Sequence, residues 1–196
     1  MKKGLIILVA VVAVIAIFIF WGVGKYNGFV SQEEGVKAQW SNVENVYQRR
    51  ADLIPNLVAT VKGYATHEEK TLTEVIEARA KATSVTIDPT KLNESNIAAF
   101  QKAQDGLSGA LSRLMVSVEQ YPNLKANENF LALQSQLEGT ENRIAVERRK
   151  YNEAAQEFNA SIRRFPANII AGMGSFEQKG YFKASEGAEK APQVKF

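Results

Sequence analysis

Few side chains in this sequence could act on a small molecule. The lone histidine, His67, stands before Glu68 and Glu69, and an imidazole beside carboxylates can ligate a metal or accept a proton. A divalent ion needs several ligands, however, and neither an H-E-x-x-H spacing nor any cysteine is present to complete a set. A solvated histidine on a helix face is the better reading. The lack of cysteine also removes thiolate nucleophiles, disulfides and a lipidated thiol. No G-x-G-x-x-G, Walker A or G-x-S-x-G pattern occurs, and one histidine does not build a nucleophile–base pair. The sequence therefore leads us to expect no catalytic residue, no cofactor and no metal, and a protein that is not an enzyme.

Basic side chains are the remaining candidates. Arg49 and Arg50 are adjacent, and Arg143, Arg148, Arg149, Lys150, Arg163 and Arg164 cluster late in the chain. Either group could meet lipid headgroups, phosphates or an acidic partner. The later cluster is interleaved with Glu128, Glu138, Glu141, Glu147, Glu153 and Glu157, which favours ion pairing within and between helices, as for Asp52 with Arg49. Arg49 and Arg50, beside Pro55, remain as the candidate partner contact. The net charge of +3 owes much to Lys2 and Lys3, so the rest of the chain is nearly neutral and nucleic acid is not an expected partner.

The elements that would position these residues begin with an anchor. Residues 5–24 hold no charged side chain, and about twenty helical residues rising ~1.5 Å each cross a hydrocarbon layer of roughly 30 Å. Trp21 and Tyr26 fall where an interfacial aromatic belt would lie. The apolar run is too long for a signal peptide and lacks a good cleavage site, so an uncleaved transmembrane helix over residues 1–25 is expected, with the bilayer as its partner. Lys2 and Lys3 narrowly outweigh Lys25 and Lys37 and place the body outside the cytoplasm.

Beyond the anchor the pattern is helical. Over residues 31–83, Val36, Trp40, Val43, Tyr47, Ile54, Val58, Val61, Leu72, Val75 and Ile76 recur mainly at three and four, giving one long helix kinked at Pro55 and weakened at Gly63. Residues 83–93 read as a connector. A second helix carries an a/d seam from Ile97 through Phe100, Gln104, Leu107, Leu111, Leu114 and Val118 to Tyr121, and stops at Pro122. Asn127 is placed to cap a third helix, whose seam runs from Phe130 to Phe165 and includes Thr140 and Glu147, polar members that either fix the register as buried groups or, the default reading, mark a partly exposed seam. Ile169, Ile170, Met173 and Phe176 suit a short helix covering the bundle end. The expected fold is all-α: an N-terminal transmembrane helix, then an elongated antiparallel bundle of three long helices plus a short C-terminal helix over residues 26–180, and a flexible tail over 181–196.

Particular residues also carry a resemblance. Tyr26-Asn27, the QRRADLIPNLV block at residues 48–58, Val61 to Tyr64, His67-Glu68, Glu141-Asn142, Tyr151-Asn152, Phe158-Asn159 and Phe165-Pro166 together resemble the LemA family over nearly the whole chain. The resemblance implies a bacterial inner-membrane protein with one N-terminal membrane helix, a domain of long antiparallel helices and no established biochemical activity. With the cell-envelope setting that the resemblance implies, the anchor, the heptads, the near-neutral charged faces and the missing site lead us to expect a structural or adaptor protein that self-associates as a homo-oligomer. A regulator or substrate adaptor of an envelope metalloprotease is the alternative, since such proteins are often encoded near membrane proteases. A receptor or enzyme with a site between subunits comes third.

Overall fold

A computed structural model describes residues 2–65 and 68–184. Among these residues every regular element is helical. Helix α1 spans Lys2–Lys62 without a break. Its first third is apolar on every side and largely exposed up to Phe20, with Leu5, Val9, Val12, Ile15 and Ile19 all more than half exposed, and only its last turn, at Trp21 and Gly22, meets the rest of the molecule. After Tyr26 the apolar positions narrow to one stripe, and Phe29, Val36, Trp40, Val43, Tyr47, Ile54, Leu57 and Val61 become buried.

Pro55 does not end α1, because the carbonyl it leaves without a donor finds another. Proline has no N–H to offer the carbonyl four residues back, that of Ala51. Arg79 Nε donates to the Ala51 carbonyl at 2.7 Å instead. The chain turns at Gly63, where Tyr64 and Ala65 N–H groups both donate to the Val61 carbonyl. The long helix expected over residues 31–83 is thus two helices. Helix α2, Glu69–Ser84, folds back along α1 and buries Leu72, Val75 and Ala82. His67 lies outside the described residues.

A connector closed by Thr90 donating to the Asp88 carboxylate leads to α3, Glu94–Val118, capped by Asn93. The short α4, Pro122–Lys125, makes the far turn, and Asn127 caps α5, Glu128–Arg163, by accepting from Phe130 N at 3.0 Å, as its sequence position predicts. Helix α6, Ala167–Met173, follows the cis Phe165-Pro166 bond. Helices α1 and α3 run away from the apolar span, while α2 and α5 return.

Two apolar cores form along the bundle. Trp40, Phe100, Tyr151 and Phe158 centre the one nearer the span, and Leu57, Leu107, Leu114 and Phe130 centre the far one. The α5 seam holds its expected register to Tyr151 and then moves over by one residue, so Ala155 and Ile162 are buried and Phe165 is exposed. Thr140 is fully buried, its hydroxyl satisfied by the Gln136 carbonyl at 2.7 Å, so the seam is not open there. Glu147 is half-buried and paired with Lys150.

The segment after α6 turns back through Ser175, at φ 56°, and runs along the bundle. The tail expected from Tyr181 includes residues 181–184, which are docked; Phe182 is only 5% exposed. Residues 185–196 lie outside the described residues.

Candidate functional site

Between α3 and α5 the bundle has a cleft floored by α1. Its half nearer the span is filled by residues 179–183, an extended strap held by side-chain amides. Asn159 accepts from Lys179 N at 2.8 Å and donates to Lys179 O at 2.9 Å. Asn152 makes the same pair with Phe182, both at 2.9 Å, and Gln101 with Lys183, both at 3.0 Å. These carboxamides reproduce the donor and acceptor of a neighbouring β-strand, which lets a lone extended peptide satisfy its backbone among helices. Gly180 N donates to Leu92 O at 2.8 Å, and Tyr151 Oη donates to Gly180 O at 3.1 Å.

Side chains complete the docking. The Phe182 ring stacks on Trp40 at 6.1 Å and meets Tyr151 edge-on at 5.5 Å. Arg148 covers its outer face at 4.9 Å and donates to Lys183 O at 2.6 Å. Lys179 is buried and its ammonium pairs with Glu33 at 2.6 Å. Burial pushes the Tyr151 phenol well above its ordinary value, with Tyr181 adding in the same direction.

Among the described residues the cleft continues past Ala184 as a groove of about 940 Å³. Here the two arginines of α1 part company. Arg49 points to solvent, whereas Arg50 is 2% exposed and forms a polar layer between the two apolar cores. Its Nη1 donates to Ser108 Oγ at 2.7 Å and to Glu141 Oε2 at 2.9 Å, and its Nη2 to Gln104 Oε1 at 2.8 Å. Its Nε is buried without a partner, and the guanidinium lies 5.1 Å from the Tyr47 ring centre. Glu141 reaches in from α5 with its side chain still 57% exposed. Asp52, expected to pair with Arg49, accepts from Gln48 at 2.7 Å.

Lys102, Asp105 and Arg148 stand on the groove walls, which leaves an excess of positive charge around the Arg50–Glu141 pair. The strap clamps Gln101, Asn152 and Asn159 were missed by sequence reasoning. One signal was available: Asn152 and Asn159 are seven residues apart on one helix face, and asparagine is a poor interior helix former.

An apolar helix long enough to cross a membrane, continuous with an all-helical body, defines the class: a membrane-associated helical-bundle protein. Comparison with known proteins makes it specific. The chain belongs to the LemA family, whose model matches residues 39–196. It is similar to magnetosome protein MamQ 2 of Paramagnetospirillum magneticum, 30% identical over 195 residues, which cover 91% of this chain and 71% of the relative. Magnetosome protein MamQ of Magnetospirillum gryphiswaldense is 27% identical over the same shares. Protein LemA of Metamycoplasma hominis is 28% identical over 172 residues, 88% of this chain and 75% of that one. These names refer to a cellular structure or to the family, and none names a reaction.

Proposed function

We propose that this protein is a membrane-anchored, non-catalytic adaptor of the bacterial cell envelope that holds an acidic segment of a partner protein in the open half of the α3/α5 cleft. The observation that supports it most is the continuity of that cleft. Its filled half already accommodates an extended peptide through paired amide bonds, and the open half presents Lys102 and Arg148 on either side of the buried Arg50. An extended acidic segment matches both features. Residues 5–24 cross the inner membrane and the body faces outward, in keeping with Lys2 and Lys3 at the N-terminal side. Homologues named for the magnetosome support a task within a larger assembly.

A photo-crosslinking residue placed at Ser112, on the groove wall, tests this in cells against one at Arg143 on an exposed face. A discrete adduct at Ser112 that is absent at Arg143 is expected. No adduct at Ser112 overturns the reading, and recovery of a membrane metalloprotease there would make regulation of that protease the better description. Self-association through the anchor belongs to the same proposal, and light scattering of the full-length chain in detergent reads it directly. A strict monomer removes self-association.

A further inference from the structure

Helix α6 lies against the apolar span, not against the body alone. A methyl group at Gly22 would meet Ile170 Cδ1 at 3.4 Å. Phe18, Ile19 and Val23 of α1 share a shallow apolar groove with Ile170 and Met173 of α6. Phe18 and Ile19 precede Lys25, the first charge after the span, by six or seven residues, which is about 10 Å along the helix axis. Interfacial amphipathic helices sit about 5–10 Å into the boundary between headgroups and acyl chains. The depth of α6, set by its contact with α1, matches that.

The free side of this corner has the composition such a position requires. Phe165 is 83% exposed, Ile169 55% and Met173 81%. Ile169 and Met173 are four residues apart and so share a face of α6, while Ile170 turns to α1. Lys25, Arg163 and Arg164 flank the patch and are exposed. Large apolar side chains gathered beside a span and ringed by cations mark a lipid contact.

We propose that the corner between α5 and α6 is a second membrane contact: Phe165, Ile169 and Met173 are immersed at the acyl–headgroup boundary of the leaflet from which the body emerges. Lipid fills the groove between α6 and the span, and Lys25, Arg163 and Arg164 lie at the level of the phosphates. With α1 and α6 both fixed at the bilayer, the bundle stands in one orientation on the membrane and presents the α3/α5 cleft at a set height and direction. The inference rests on residues 5–24 spanning the bilayer.

The chain has no cysteine, so one introduced thiol reports one position. The full-length chain carrying Met173→Cys is labelled with an environment-sensitive fluorophore and placed in vesicles of phosphatidylcholine and phosphatidylglycerol. Quenching by a shallow spin-labelled lipid is compared with quenching by aqueous iodide. Val14→Cys, within the span, and Ser135→Cys, on the exposed far part of α5, are the references. The probe at 173 should be quenched by lipid at least about twofold more than the probe at 135, and should be shielded from iodide. Ile169→Cys should repeat the result. Iodide quenching at 173 and 169 equal to that at 135, with 14 still quenched by lipid, overturns this inference and leaves the anchor standing. Iodide reaching 14 as well removes the spanning reading and the inference with it.

Discussion

Replacing Arg50 with methionine, and separately Arg49 with methionine, contrasts two neighbouring arginines that the fold treats oppositely. Removing the Arg50 guanidinium leaves Gln104 Oε1 without its donor in a buried setting, since Gln104 is 5% exposed and its amide nitrogen is committed to the Ala82 carbonyl at 3.1 Å. An orphaned buried acceptor costs about 1–3 kcal/mol. Loss of the charge-assisted pair with Glu141 adds about 1 kcal/mol, a small sum because that carboxylate is more than half exposed and regains water. Against this, the buried and unpartnered Nε of Arg50 disappears, which returns about 1 kcal/mol. The net expectation for Arg50→Met is a loss of about 2 kcal/mol, while Arg49→Met, on the solvent side, should stay within about 0.5 kcal/mol of the parent. Urea unfolding in mild detergent, followed by tryptophan fluorescence and helical circular dichroism, measures both. Trp40, in the core next to the polar layer, reports the transition. Equal stability of the two variants would refute the account of Arg50 as a buried organiser of the groove floor.

Further expectations follow from the other ties. Arg79→Met should cost about 1–2 kcal/mol because the Ala51 carbonyl loses its substitute donor, but close to nothing when Pro55→Ala restores a helical N–H, and a double-mutant cycle by urea unfolding separates the cases. Gly180→Ala places a methyl 2.7 Å from the Glu94 backbone, so the strap should lift from the cleft, with faster hydrogen exchange at residues 179–183 as the readout. Because burial raises the Tyr151 phenol in the folded state, the native chain keeps a proton that the unfolded chain gives up. That part of the stability is complete below about pH 10 and declines as pH rises further. Tyr151→Phe should therefore flatten the fall in melting temperature above about pH 10 and leave it unchanged below, and an unchanged slope above about pH 10 would contradict the burial.

What the sequence determined is what local periodicity can encode. Steps of three and four residues identify the helices, the twenty-odd uncharged residues before Lys25 identify the span, and Asn127 and Pro122 mark helix limits, because each depends on neighbours within a turn or two. The same reasoning carried the first body helix past Gly63, since the apolar stripe resumes at Leu72 and only the packing of α2 against α1 and α3 decides that the chain reverses. Tertiary structure alone decided the site. Arg49 and Arg50 are equivalent as residue types, and Arg50 is buried only because Gln104, Ser108 and Glu141, 54, 58 and 91 residues away, arrive with acceptors. Residues 179–183 have no period of their own and become ordered because Gln101, Asn152 and Asn159 on other helices satisfy their backbone. Helical periodicity is a property of one segment, whereas burying a charge or an extended backbone requires partners that the chain brings together only by folding.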